Sequence, residues 1–227
     1  MRRVLVTGAS RGIGLEFVKQ FLARGDQVFA ACRNPENAQH LHLFKSEHLH
    51  LIRLDVADEQ SIESSYAAVK AQTDALDLLI NNAGIQVDGD ELGALTFDNL
   101  MQILRVNAVA PMLVAQRYLD LLRRGNAPKI VGITSEHGSI ELKPDGGPFG
   151  YSSSKAALNM LMRTLAFEAR GVTTFLLDPG WVRTDMGGGS ASLSPERSVG
   201  GMMQVIDSVT PRQNGSFLRW DGETMPW

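Results

Sequence analysis

A single cysteine, Cys32, among 227 residues excludes an internal disulfide framework and fits a reducing compartment. It falls near the end of an apolar run, where a buried and inert thiol is expected. No apolar stretch approaches the ~18 residues of a membrane span. Charge of one sign is scarce as well. The 22 Lys and Arg against 25 Asp and Glu leave a formal net charge of −3, with no basic footprint for nucleic acid. The chain has no Pro/Gly/Ser linker, low-complexity tract or internal repeat, so one domain over 1–227 is expected. A first strand beginning at Arg3 leaves no room for a signal peptide, and a cytoplasmic location is expected. His40, His42, His48 and His50 form two His-Leu-His pairs, but no cysteine or acidic constellation completes a zinc pattern. No metal is expected.

What is present is a regular alternation. Strand-like runs fall at 3–7, 27–32, 49–54, 76–81, 129–134 and 173–177, with a short one at 216–219. Helical patterns occupy 13–24, 59–73, 96–123, 151–169 and 195–207, the last with Ser194 as N-cap and Pro195 at its first position. Strands alternating with helices imply right-handed crossovers. The expected fold is α/β, a Rossmann-type doubly wound parallel sheet of about seven strands with helices on both faces. Two loops rich in Gly, Pro and Ser, at 138–150 and 185–194, follow predicted strand ends. Ligands of open α/β sheets bind beyond those ends, so both loops are expected to border the site and set the substrate.

The first strand runs into Thr7-Gly8-Ala9-Ser10-Arg11-Gly12-Ile13-Gly14 and then an amphipathic helix. Strand, glycine turn and helix in that order is the setting of a dinucleotide site. Glycines let the backbone approach a pyrophosphate, whose charge is favoured by free N–H groups at the helix start. Far downstream, Tyr151 and Lys155 stand four apart at the start of a predicted helix, so both project from one face. A phenol with an ordinary pKa of ~10 is a poor acid/base at neutral pH, and a nearby ammonium lowers that value. Such a couple suits proton exchange with a carbonyl or alcohol oxygen.

Taken with Asp55-Val56, Asn81-Asn82-Ala83-Gly84, Asn107, Ser135, Tyr151-Ser152-Ser153-Ser154-Lys155 and Pro179-Gly180-Trp181-Val182-Arg183-Thr184, the chain resembles the short-chain dehydrogenase/reductase family over nearly its whole length. Cys32-Arg33-Asn34-Pro35 and the closing 220–227 stretch are most similar to its sniffer-type and C-factor-like carbonyl reductases. The resemblance implies a catalytic set of Asn107, Ser135, Tyr151 and Lys155. Tyr151 would be the general acid in carbonyl reduction, and Lys155 would hold the nicotinamide ribose and depress the tyrosine pKa. Ser135 would hydrogen-bond the substrate oxygen, while Asn107 would bend its helix and anchor a water. Asp55 would meet the adenine, with Val56 supplying a backbone contact. Asn82, Ala83 and Gly84 would line the cofactor, and Asn81 would brace the neighbouring strand. Gly8, Ser10, Arg11, Gly12, Ile13 and Gly14 would hold its phosphates. Pro179, Gly180, Val182 and Thr184 would close over the carboxamide and phosphate side. The resemblance also implies a small carbonyl or alcohol substrate and assembly as a homodimer or homotetramer. Glu136 and His137, after Ser135, are read as polar loop residues within reach of substrate.

Charge at the end of the second strand decides the cofactor. NAD-users on this architecture place an Asp or Glu there for the ribose 2′-hydroxyl. This chain has Ala30-Ala31-Cys32-Arg33 and no carboxylate before Glu36, with Arg11 in the glycine loop. Two guanidiniums can fork onto a 2′-phosphate, so NADP(H) is expected. The activity these expectations describe is NADP-dependent hydride transfer between a nicotinamide and a carbonyl compound. The rival reading is an NAD(P)-binding signalling or regulatory module with little or no turnover.

Overall fold

Seven apolar runs become seven strands of one sheet: β1 Arg3–Thr7, β2 Gln27–Cys32, β3 Leu49–Arg53, β4 Leu78–Asn81, β5 Lys129–Ile133, β6 Thr173–Asp178 and β7 Phe217–Arg219. The computed structural model describes residues 1–143 and 146–227, so part of the expected 138–150 loop, Pro144 and Asp145, lies outside the described residues. The strand order is β3-β2-β1-β4-β5-β6-β7, and every pairing is parallel. Helices α1 Gly12–Ala23, α2 Gln39–His42, α3 Glu59–Lys70, α4 Phe97–Leu104, α5 Ala110–Leu122, α6 Phe149–Glu168 and α7 Pro195–Ser208 complete the architecture. This is the doubly wound α/β fold that the alternation predicts.

Alternate residues of a strand point to opposite faces, and β1 feeds two cores accordingly. Leu5 packs with Phe29, Ile52, Val69 of α3, Tyr118 of α5 and Met162 of α6. Val4 and Val6 pack on the other face with Phe17 and Phe21 of α1 and Met202 and Ile206 of α7. Burial on both faces is why the strands read as near-continuous apolar runs. From β1 the chain winds outward through β2 and β3, then returns to place β4 on the other side of β1. The direction of winding therefore reverses between β1 and β4, and a crevice opens beyond their carboxyl ends. The register Val6↔Ile80 brings the residues after Thr7 and those after Asn81 side by side.

The single helix expected over 96–123 runs from Phe97 to Leu122 without a gap and widens midway. Residues Arg105–Val109 form a π-helical turn, with the Ala110 N–H reaching the carbonyl of Arg105. Pro111 explains the widening. It lacks an N–H, and its ring excludes the carbonyl four residues back, that of Asn107. Helix α6 begins at Phe149, two residues before the expected start, because a side chain from another loop caps it. Ser194 does cap α7, accepting from the Arg197 N–H at 3.3 Å.

Candidate active site

The glycine loop is shaped by backbone that only glycine adopts without strain. Gly8 and Gly12 have φ of 66° and 54°. Gly14 serves a different end, since a Cβ there would lie 2.3 Å from the Gly8 carbonyl oxygen and push α1 off the turn. Arg11, the N-cap of α1, provides no side-chain acceptor for the first N–H groups of that helix. The loop is braced from β4. Thr7 Oγ1 accepts from the N–H groups of Asn82 (3.0 Å) and Ala83 (3.1 Å), and Asn82 Nδ2 donates to Thr7 O at 2.9 Å. Asn81 braces a helix rather than the neighbouring strand, its Nδ2 donating to Pro111 O at 3.0 Å in α5.

This loop forms one wall of a cleft of about 470 Å³ at the β1/β4 crevice. Gly8, Ser10, Arg11, Gly12 and Ile13 line it, with Arg33 beyond β2 and Asp55 and Val56 beyond β3. Asn82, Ala83 and Gly84 enter from β4, Pro179 and Thr184 from beyond β6, and Tyr151 and Lys155 from α6. Sequence reasoning missed Gln102, Arg105 and Val106, which reach the same cleft across the widened α4–α5 helix. Asn107 and Ser135 of the catalytic set do not line the cleft, and three residues expected at the cofactor stand behind its wall. Gly14 is pressed against Gly8, Gly180 (φ 72°) against Leu193 and Trp220, and Val182 is buried and bridged to Leu193. Arg11, expected at a ribose phosphate, pairs with Asp185 at 3.2 Å across the cleft mouth.

Lys155 is buried, and its Nζ donates to Ile133 O at 2.9 Å. Burial pulls the ammonium down to about 8, while the charge of Asp178 pulls it back up. Its Nζ lies 5.6 Å from the centre of the Tyr151 ring. Burial pushes the phenol up to about 12, hydrogen bonding with Ser135 counters it, and Asp178 raises it further. Tyr151 is thus a firmly protonated donor at neutral pH. The Ser135 Oγ accepts from the His137 N–H at 3.2 Å, and the His137 ring meets Tyr151 edge-on at 5.9 Å.

Asn107 sits in the π-helical turn, wholly buried. Its Oδ1 accepts from the Ile85 N–H at 2.8 Å, and its Nδ2 donates to Ile85 O (2.9 Å) and Ser154 Oγ (3.1 Å). It ties the β4 loop to the helix of Tyr151 and Lys155. A Cβ on Gly84 would lie 3.4 Å from Asn107 Oδ1 and 3.8 Å from Lys155 Nζ, so these groups converge on that glycine.

Two carboxylates escaped sequence reasoning. Asp90 Oδ1 and Oδ2 accept from the N–H groups of Gly150 (2.5 Å) and Tyr151 (2.9 Å), fixing the first turn of α6. Asp178, at the end of β6, accepts from the Glu136 N–H at 3.2 Å. The only hint of either was Asp178 preceding Pro179. Nothing local marks Asp90 as a cap for a helix 60 residues on.

A larger depression of about 630 Å³ lies at the opposite end of the sheet. Its charges are already matched: Arg3 with Asp77 (2.8 Å), Arg2 with Asp207 (2.5 Å), and Lys129 on the carbonyls of Ile206 and Val209. One histidine of each pair is engaged locally, His42 on Pro35 O and His50 on Gln27 and the Phe29 ring. Among the described residues, no group of three or more His, Cys, Asp or Glu could hold a metal ion, and no helix is long and apolar enough to cross a membrane.

Comparison with known proteins agrees with this geometry. Residues 2–192 match the family model described as short chain dehydrogenase. The C-signal of Myxococcus xanthus is 40% identical over 162 residues, covering 70% of this chain and 98% of that protein. The NADPH-bound carbonyl reductase from chicken fatty liver superposes with a TM-score of 0.93 at 38% identity, covering 100% of this chain and 99% of that one. The carbonyl reductase Sniffer of D. melanogaster superposes with a TM-score of 0.94 at 32% identity, over 100% of both chains. With a glycine-loop cleft, a tyrosine–lysine helix at its mouth and a family match across most of its length, the chain belongs to the short chain dehydrogenase family.

Proposed function

We propose that this protein is an NADPH-dependent carbonyl reductase, in which Tyr151 gives a proton to the oxygen of a small carbonyl substrate. One observation carries the reading. Tyr151 and the buried Lys155, one helical turn apart on α6, both line the cleft that the glycine loop walls. Bound NADPH would supply the hydride accepted by the carbonyl carbon.

The residues fit such a group. The open N–H groups at the start of α1 suit a pyrophosphate, and Asp55 with Val56 suits the adenine. Lys155 and Asn82 are placed for the ribose side, and Pro179 with Thr184 for the far rim. Arg33 is free to meet a 2′-phosphate. Arg11 would exchange Asp185 for it, and that exposed pair is worth at most ~1 kcal/mol. Ser135 orients the substrate oxygen towards Tyr151. Lys155, largely cationic at neutral pH, stabilises the charge left on the phenol as its proton departs. Assembly as a homodimer or homotetramer and a cytoplasmic location belong to the same proposal. Met160 and Phe167, exposed seven residues apart on α6, support a subunit contact.

A second reading draws on the likeness to C-signal: a nicotinamide-binding module without turnover. Against it stands the proton apparatus, since binding alone requires only the glycine loop. Turnover by NADPH oxidation across aldehydes, ketones, quinones and diketones, alongside cofactor binding by fluorescence, separates the two. Reduction of one or more of these carbonyls is expected. Tight NADPH binding with no turnover over the whole panel would favour the second reading.

A further inference from the structure

We propose that Asp178 is a positioning residue for the reaction, a buried carboxylate at the end of β6 that holds the Ser135 turn in place beside the helix of Tyr151 and Lys155. The inference rests on the reading of Tyr151 as proton donor.

The geometry starts from the sheet. Strands β5 and β6 pair in the register Ile133↔Leu177, and Thr134 donates its N–H to Leu177 O at 2.8 Å. Asp178 therefore ends its strand beside the residues leading to Ser135. Its Oδ1 takes the Glu136 N–H at 3.2 Å. One side chain thus ties the end of β6 to the turn that carries Ser135. It is 3% exposed.

Its charge has no ion-pair partner among the described residues. Arg219 on β7 is the nearest guanidinium to act on it, but that group is engaged by Asp221 (2.6 Å) and Glu223 (2.5 Å). Glu136, from the turn after β5, adds a like charge. From α6, Lys155 and Tyr151 both sense the carboxylate, and both are raised by it. A buried, unmatched carboxylate is unfavourable for stability and is a recurrent mark of sites that tune proton transfer. Here its sign is informative. A negative charge behind Lys155 favours the ammonium over the neutral amine, and the same charge makes the Tyr151 phenol a weaker acid.

Burial pushes Asp178 up to about 6, so its charge is present at neutral pH and fades in mild acid. Above that point Asp178 raises the pKa of Tyr151 and Lys155, and below it the effect is gone. The test is the pH profile of kcat and kcat/KM for NADPH-dependent reduction, in the wild type, Asp178→Asn and Tyr151→Phe. Asparagine keeps an acceptor for the Glu136 N–H but not the charge. The basic limb of Asp178→Asn should move to lower pH by at least ~0.5 unit, as loss of a nearby like charge predicts. The two profiles should converge below a pH of about 6. Glu136→Gln, at an exposed position, removes the like charge and should lower the pH at which the Asp178 carboxyl titrates, read by infrared difference spectroscopy whether or not Asp178→Asn folds. An Asp178→Asn profile superposing on wild type at every pH, or no movement in Glu136→Gln, would overturn the inference. The Tyr151→Phe arm separates the two claims. If it stays active, the proton-donor reading fails. If it is inactive while Asp178→Asn behaves as wild type, only the role of Asp178 fails.

Discussion

Arg33 stands just beyond β2, where a carboxylate would accept hydrogen bonds from a ribose 2′-hydroxyl. Its guanidinium reverses the sign of that position, and Arg11 adds a second cation on the same cleft. The expected preference for NADPH over NADH is at least tenfold in kcat/KM, or ~1.4 kcal/mol. Arg33→Ala should erode it by weakening NADPH while leaving NADH little changed. Equal kcat/KM for both cofactors in the wild type would refute the assignment. Residues such as these were legible because their meaning is local. Gly8 and Gly12 are demanded by positive φ, and Tyr151 with Lys155 by one turn of helix. Asp90 and Asp178 were not legible, because each acts on backbone 60 or 42 residues away and neither position has a local signature. At Tyr151 burial raises the phenol, and hydrogen bonding with Ser135 counters it.

At the scale of elements, α6 is the part whose placement matters most, since it carries both Tyr151 and Lys155. Its first turn begins at a Pro148 N-cap that offers no side-chain acceptor, and Asp90 fills that role from the loop after β4. Gly150 leaves room for it, as a Cβ there would meet Ile103 at 2.7 Å and Asp90 Oδ1 at 2.9 Å. Asp90→Ala should destabilise the protein by ~1–2 kcal/mol, the range for a lost helix cap. Thermal unfolding measures that loss. It should also lower kcat more than it weakens cofactor binding, because Tyr151 lies in the turn it fixes and Lys155 lies deeper in the helix. Asp90→Asn, which keeps one acceptor, should recover part of both. Unchanged kcat in Asp90→Ala would show that α6 holds its register without the cap. The π turn between α4 and α5 had a visible cause in Pro111, yet apolar periodicity continued across it. The periodic signal concealed the wide turn that lets Asn107 reach Ile85 and Ser154.

For the whole molecule, topology does the assembling. Residues from the ends of β1, β4, β5 and β6 meet because all seven strands are parallel and the winding reverses beside β1. Such a sheet was legible from alternation alone, since strands buried on both faces and helices with one apolar side leave few other arrangements. The cleft therefore lies where the order of strands requires it. The short α2 helix and the 3₁₀ turns at Pro35–Asn37 and Pro211–Gln213 carried too few residues for a periodic signal. The central claim is that this scaffold brings one proton donor to the reacting oxygen. Turnover and NADPH affinity of Tyr151→Phe, measured side by side with wild type, test it most directly. The account predicts an unchanged cofactor dissociation constant and a kcat lowered by ~10²–10⁴-fold, the range for loss of a general acid. Near-wild-type turnover in that variant would contradict it.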